Sequence, residues 1–418
     1  MDTQKQYCKV ASHEAEAGKV KKVVLLYSGG LDTSVMLVWL QEHYKCQVIA
    51  LTVDIGQMAD DLVKIKQKAL DFGAVEAIVV DAKEEFAHSY IVPAIRANAC
   101  YQGNYHMATC IGRPLLAKIA VQIAEKYGAD AIAHGCTGKG NDQVRIEAGV
   151  LTLNPEMKII APVREWSLGR EEEIAYAKKH GIPVSHTLEK PYSYDDNMWG
   201  ISAEGGEIED PSKIPPLEKI LAHCSTPEAA PNESATITIG FKKGIPISIN
   251  GKDLSLQQVI AALNALGAAH GIGISIHIED RIVGLKIRDV YEMPAAHILI
   301  TAHQTLEKCV CTREENFEKS RIDEKWAYLC YGAKWYEPLM VHLNKFINSI
   351  NKKVEGEVTI KLYKGNVTVL AIKSPNSLVK TNLTTFMKCS DFNQNASAGF
   401  IEIYSLESKI AHQLSGEK

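Results

Sequence analysis

The chain is predicted to be an α/β protein: an N-terminal doubly wound parallel-sheet nucleotide-binding domain, a second α+β domain, and a C-terminal helix. Three observations predict it. Apolar runs of strand length without polar alternation, at 23–26, 47–53 and 77–80, recur between segments of helical periodicity, the pattern of strands buried on both faces. From about residue 235 the pattern changes to alternating apolar and polar residues around short glycine turns, which marks antiparallel hairpins. Between the two lies a stretch punctuated by Pro191, Pro211, Pro215, Pro216, Pro227 and Pro231 with little periodicity, expected as an irregular crossing between domains. The resulting division is a disordered tail over 1–18, a first domain over 19–185, a second over 186–385, and a C-terminal arm and helix over 386–418.

Each element follows in order. An apolar strand at 23–26 runs into Tyr27-Ser28-Gly29-Gly30 and continues as a helix through Leu40. A second strand spans 47–53, and 60–72 has a helical stripe of Leu62, Ile65, Ala69 and Leu70. Strands at 77–81, 131–135 and 158–161 follow, with a helix at 115–127 between the first two of these. In the second half, alternation at 237–241 and 245–249 around Lys242-Lys243-Gly244 predicts a hairpin, and 256–266 a helix. A strand pair at 274–278 and 283–287 brackets Glu279-Asp280-Arg281. Residues 294–351 read as helical, with a buried stripe through Trp326, Leu329 and Ala333 and with Trp335 and Tyr336 as core aromatics. A last hairpin turns at Lys364-Gly365-Asn366, and 400–414 reads as an amphipathic helix.

At 418 residues, with 46% hydrophobic and 23% charged residues, the chain has the balance of a globular protein of two or three domains. A net charge of −4 argues against the clustered basic surface that nucleic-acid binding requires and favours a small-molecule substrate. No apolar run reaches the ~18 residues of a membrane span. The first twenty residues, with Asp2, Glu14 and Glu16, lack a signal-peptide core, so a cytoplasmic location is expected. The ten cysteines contain no C-x-x-C and read as small buried thiols in a reducing compartment.

Two stretches carry chemistry. The first is Ser28-Gly29-Gly30-Leu31-Asp32-Thr33-Ser34 at the end of the first strand. Its glycines permit left-handed backbone and close approach to a ligand, its hydroxyls offer donors, and the following helix aims free N–H groups at the same place. Spacing excludes both G-x-x-x-x-G-K-[ST] and G-x-G-x-x-G. The second is Gly135-Cys136-Thr137-Gly138-Lys139-Gly140-Asn141-Asp142-Gln143-Val144-Arg145, a pliable loop with polar groups of both charge signs, suited to a zwitterion. Each stretch also fits a plain reading, as a capped strand-to-helix turn and as a solvated polar turn. Both follow strand C-termini, where ligands of open α/β sheets bind, so both are expected to face one crevice.

The first loop resembles the pyrophosphate loop of the ATP pyrophosphatase superfamily. Together with Gly135-x-Thr137-x-Lys139-Gly140-Asn141-Asp142-x-x-Arg145 it is similar to the argininosuccinate synthase family, a resemblance that runs from about Lys21 over nearly the whole chain. That family joins citrulline to aspartate with ATP through a citrullyl-AMP intermediate. The resemblance implies a synthetase second domain and a C-terminal helix that reaches onto neighbouring subunits of a homotetramer. From the residues alone, packing of that helix on its own subunit is equally compatible.

Carried over by position, the resemblance implies an ATP site formed by Leu26, Tyr27, Ser28, Gly29, Gly30, Leu31, Asp32, Thr33, Ser34, Val53 and Gly135. Thr137, Asn141 and Asp142 match positions that bind aspartate. Tyr105, Asn141, Arg145, Ser193, Ser202, Glu279 and Tyr291 match positions that bind citrulline, as does Cys110, which stands where the family usually offers a serine. Gly200 replaces a usual histidine and Gly112 a usual alanine, which predicts a looser pocket wall.

Activation of the ureido oxygen as an adenylate places negative charge on departing pyrophosphate. Ser28, Thr33 and Ser34 are expected to meet that charge together with Mg²⁺. Asp32 is expected to serve Mg²⁺ or to cap the helix, and Lys139 to neutralise phosphate or to be a solvated loop lysine. The competing readings are another ATP pyrophosphatase ligase, an amidotransferase, a tRNA-thiolating relative, or a nucleotide-binding sensor.

Overall fold

The computed structural model describes residues 8–58, 61–166, 169–183, 191–387 and 391–416. Five parallel strands, β1 (Lys22–Leu26), β2 (Gln47–Asp54), β3 (Glu76–Asp81), β4 (Ala131–Ala133) and β5 (Lys158–Ile160), form one sheet in the order β3-β2-β1-β4-β5. Alternate strand residues sort into two cores. Val24, Ile49, Leu51 and Ile132 join one apolar cluster with Leu115, Ile119 and Ala120 of the helix Arg113–Tyr127. Val23, Leu25, Val48, Ala50 and Ala133 join another with Met36, Leu37 and Leu40 of the helix Leu31–His43 and with Ile65 and Ala69 of the helix Leu62–Asp71. Both faces are therefore covered, which is why the strands carry continuous apolar runs.

The second domain contains two antiparallel sheets. One has the order β11-β12-β7-β6, built from β6 (Ser193–Asn197), β7 (Gly200–Glu204), β11 (Ile274–Asp280) and β12 (Lys286–Glu292). The other has the order β10-β9-β8-β13-β14, from β8 (Ala235–Lys242), β9 (Ile245–Ile249), β10 (Lys252–Asp253), β13 (Gly356–Tyr363) and β14 (Asn366–Lys373). The expected irregular crossing thus contains a hairpin, β6 and β7, whose register is completed by β12 far along the chain. Short polar strands such as Ser-Tyr-Asp-Asp-Asn have little apolar alternation to announce them.

The expected helical run at 294–351 is three helices, Pro294–Val310, Arg313–Tyr331 and Pro338–Asn351. Thr312 restarts the chain with a capping box to Glu315, and Ala333, expected on a helical stripe, sits in a left-handed turn at φ +63°. Trp326 is buried, and Trp335 packs edge-on against it at 5.7 Å, as the core reading of these aromatics required.

Residues 8–18, expected as part of a disordered tail, lie against the sheet edge. The Ile159 N–H donates to the His13 carbonyl (2.9 Å), and the Ala15 N–H donates to the Ile159 carbonyl (2.9 Å). β5 is an edge strand, and its free backbone groups recruit the segment. Residues 1–7 of the expected tail lie outside the described residues. At the other end the expected single helix is two, Ala396–Tyr404 and Leu406–Ser415, which meet at Ser405. Among the described residues no helix is long and apolar enough to cross a membrane.

Candidate active site

β1 ends where Tyr27 N–H still donates to Leu51 O (2.8 Å), and the chain then leaves the sheet. Gly29 takes φ +81°, and a Cβ there would lie 2.8 Å from Ile65, so both backbone and packing require glycine. Lys68 Nζ pins the loop by donating to Gly29 O (2.7 Å). Gly30 is the N-cap of the helix Leu31–His43 with no side-chain cap, which leaves the first-turn N–H groups facing outward.

Ser28 and Thr33 stand at the exposed mouth, with their hydroxyls 3.2 Å apart. Ser34 is instead fully buried, donating to Gly30 O (2.7 Å) beside the Tyr27 phenol (3.0 Å). Its hydroxyl braces the loop from within, because the helical turn directs it back onto the strand end. Asp32 is exposed on the first turn. Leu31 and Val53 are buried and Leu26 is partly buried against the same apolar cluster as Val53, so these side chains pack into the interior.

β4 lies beside β1, so the second stretch leaves the sheet next to the first. A Cβ on Gly135 would sit 2.8 Å from Met36 and 3.9 Å from the Thr33 methyl. The two turns therefore leave the same edge of the sheet side by side, as strand polarity required. Cys136 N–H donates to His134 Nδ1 (3.2 Å), and His134 Nε2 meets Glu147 (3.0 Å), so a buried pair braces the loop from behind. Thr137 and Lys139 are exposed. The stretch is a loop only to Gly140, since Asn141–Leu153 is a helix that carries Asn141, Asp142 and Arg145 on its first turns.

Facing this helix is one side of the β11-β12-β7-β6 sheet. Asp195 pairs with Ser202, and Ser202 with Tyr291, so these three share a face. Tyr291 donates to Glu279 Oε2 (2.8 Å), and the Ile282 N–H just beyond β11 donates to Asn141 Oδ1 (2.8 Å). Arg281 donates to the Lys139 carbonyl (3.3 Å), which ties the β11–β12 turn to the second loop.

Tyr105 completes the enclosure. Its ring lies 4.4 Å from that of Tyr291, and its hydroxyl accepts from the N–H groups of Thr109 (3.0 Å) and Cys110 (3.2 Å). Burial raises the phenols of Tyr105 and Tyr291 well above their ordinary value, so both remain neutral donors. Cys110 is fully buried, with its thiol near the Met107 carbonyl (3.7 Å) and in contact with Cys330 and Tyr105, while its backbone N–H donates to the Tyr105 hydroxyl (3.2 Å).

Charges hold the arrangement. Arg113 bridges Asp142 (2.7 Å) and Asp195, while Arg145 reaches the other oxygen of Asp142 (2.9 Å). Against the desolvation of its site, Arg113 and Arg145 hold the Asp142 carboxyl well below the usual range. Burial, with Asp142 nearby and Arg113 opposing, pushes Asp195 up to about 6.

Tyr105, Asn141, Asp142, Arg145, Ser202, Glu279 and Tyr291 are thus brought together, whereas Ser193 lies exposed at the rim opposite Glu204. The looser wall expected at Gly200 and Gly112 is absent. A Cβ on Gly200 would meet Ala108 and the Glu292 carbonyl at 2.9 Å, and one on Gly112 would meet Ile55 at 2.9 Å. Three participants were missed in the sequence: Arg113, Asp195 and Tyr331, whose hydroxyl donates to Glu279 Oε1 (2.9 Å). None stands in a glycine-rich or periodic context that would have singled it out.

Residues 22–183 match the family described as arginosuccinate synthase N-terminal HUP domain, and residues 192–411 match arginosuccinate synthase C-terminal domain. The chain is 49% identical over 393 residues to the argininosuccinate synthase of Pyrococcus furiosus, covering 94% of this chain and 95% of that one. It is 47% identical over 390 residues to that of Symbiobacterium thermophilum, covering 93% and 97%. It is also 45% identical over 398 residues to the chloroplastic argininosuccinate synthase of Arabidopsis thaliana, covering 95% and 80%.

Proposed function

Because the chain belongs to the argininosuccinate synthase family of ATP-dependent ligases in arginine biosynthesis, we propose that it joins citrulline to aspartate in the crevice between these two turns. The observation that carries the reading is the meeting of the turns at Thr33 and Gly135. It lets one ATP lie with its phosphates over the first loop while the groups on the helix Asn141–Leu153 hold two amino acids beside it.

The ureido oxygen of citrulline attacks the α-phosphorus, and the bond to the β-phosphate oxygen breaks. Pyrophosphate leaves over the Ser28 and Thr33 hydroxyls and the uncapped N–H groups, where negative charge is stabilised most as it develops. The aspartate amine then attacks the activated ureido carbon and loses a proton, and AMP departs with the former ureido oxygen. Asn141, Asp142 and Thr137 would hold aspartate, while Tyr105, Arg145, Glu279 and Tyr291 would hold citrulline. Ser202 would act from the sheet face, and Cys110 would act through Tyr105, which its backbone N–H and its thiol both contact. Ser193 would enter only from the rim, and Lys139 would neutralise phosphate from the loop.

Among the described residues no group of three or more His, Cys, Asp or Glu could cage a metal ion. The exposed Asp32 carboxylate on the first turn after the loop would hold Mg²⁺ carried by ATP phosphates, since Mg²⁺ commonly takes only one or two protein carboxylates. Bound there, it would supply charge neutralisation for the leaving pyrophosphate. The nine described cysteines are free thiols, which supports a reducing, cytoplasmic setting. Exposure of the two C-terminal helices, including Ile403 at 73% and Leu414 at 82%, supports assembly as a homotetramer through them.

The decisive experiment supplies citrulline labelled with ¹⁸O at the ureido position. The label is expected in AMP, and its absence from AMP overturns the reading. Pyrophosphate release must also require citrulline, and ATP binding without turnover would favour a nucleotide sensor. Gly30→Val and Asp32→Ala are expected to abolish turnover while the circular dichroism spectrum is kept. Near-normal turnover in either rules out the phosphate cradle.

A further inference from the structure

Tyr331, the last residue of the helix Arg313–Tyr331, contacts three of the groups assigned above to the amino-acid substrates. Its hydroxyl accepts from Asn141 Nδ2 (2.8 Å) and donates to Glu279 Oε1 (2.9 Å), its carbonyl accepts from Arg145 Nε (3.1 Å), and the Arg145 guanidinium lies 4.7 Å over its ring. The ring is clamped from its own side by Tyr101, stacked at 3.7 Å and 6°. Tyr331 is itself only 2% exposed, and burial raises its phenol far above the ordinary value, so the hydroxyl stays neutral and donates.

The hydrogen-bond inventory shows what this fixes. Asn141 uses its oxygen on Ile282 N–H and one N–H on Tyr331, which leaves one donor. Glu279 accepts one tyrosine hydroxyl on each oxygen, from Tyr331 and Tyr291, and Arg281 Nε lies 4.0 Å from Oε1, beyond hydrogen-bond reach, so each oxygen retains accepting capacity. The Asn141 donor and the Glu279 Oε1 acceptor are thereby held at a spacing set by the Tyr331 phenol oxygen, with Oε2 fixed by Tyr291. A ureide, with one carbonyl oxygen and several N–H groups, complements that set. A guanidinium, which only donates, would meet the Asn141 N–H head on.

We infer that Tyr331 is a positioning residue that sets Asn141, Glu279 and Arg145 for a ureide side chain. This inference rests on the citrulline reading above and adds a residue to it. The test is steady-state kinetics of the full chain, wild type and Tyr331→Phe, with citrulline, aspartate and ATP varied in turn. Loss of the hydroxyl is expected to raise KM for citrulline about tenfold or more, with KM for ATP nearly unchanged and the melting temperature lowered by only a few degrees. Tyr331→p-aminophenylalanine, which keeps the ring and restores a group able to donate and accept, is expected to recover most of the loss.

An unchanged citrulline KM in Tyr331→Phe overturns the inference alone, provided the wild type turns citrulline over. A wild type without citrulline-dependent pyrophosphate release overturns the functional reading, and this inference with it. Equal rises in all three KM values, whatever the melting temperature, leave Tyr331 a packing residue only. If the Phe variant fails to fold, the p-aminophenylalanine variant decides: a citrulline KM within about threefold of wild type supports the role, and a tenfold rise removes it.

Discussion

Gly29 and Gly30 are adjacent yet meet opposite constraints. Gly29 is held at φ +81° with Ile65 against it, so Gly29→Ala combines left-handed strain with a clash. A loss of about 1–3 kcal/mol is expected, read as a lowered melting temperature, and an unchanged melt contradicts the packing described. At Gly30 a Cβ would meet nothing closer than Ser28 Oγ at 3.5 Å, so a side chain there is tolerated by the fold and projects toward the loop mouth. The sequence displays both glycines and all the hydroxyls, because loop composition is local. It does not say that Ser34 turns inward, since that depends on the Tyr27 phenol waiting behind it.

Among the elements, the two C-terminal helices stand apart, for no residue of either is buried. Phe400, Ile401, Ile403 and Tyr404 are at least 61% exposed, an apolar surface that a single chain leaves to water. The proposed homotetramer predicts that ending the chain after residue 395 gives smaller species by light scattering while the melt of the remaining body changes little. A mass per particle unaltered apart from the missing residues would overturn assembly through these helices. The pattern at 400–414 was legible as apolar and helical. The break at Ser405 was not, because it rests on backbone geometry (φ −88°, ψ −6°) and a hydroxyl returned to the Glu402 carbonyl (3.1 Å). The breaks within 294–351 follow the same rule: Thr312 and Glu315 form a cap that local spacing can suggest, while the left-handed Ala333 has no such cue.

Across the whole molecule, one buried network ties the two halves of the chain. Lys319 donates to the Arg96 carbonyl (2.8 Å) and to Asp323 (2.6 Å) and pairs with Glu307 (3.1 Å), while Asn98 donates to both carboxylates. Burial first, and Glu307 beside it, push Asp323 up to about 7 against the pull of Lys319. A carboxyl whose folded value exceeds its unfolded value of about 3.9 stabilises most at low pH, and that contribution is lost as pH rises through about 7. Thermal melts from about pH 5 to pH 8 are therefore expected to fall less steeply for Asp323→Asn than for the wild type, and parallel curves would refute the shift. In the sequence, Lys319 and Asp323 look like an ordinary solvated pair one helical turn apart. What residues in a row could establish was the chemistry of near neighbours: buried strands, two glycine turns, and, through strand polarity, the edge at which those turns meet. Contacts such as Asn141 with Tyr331, 190 positions apart, came from the packing of one domain's surface on the other, and pairings of that kind leave no local pattern to read.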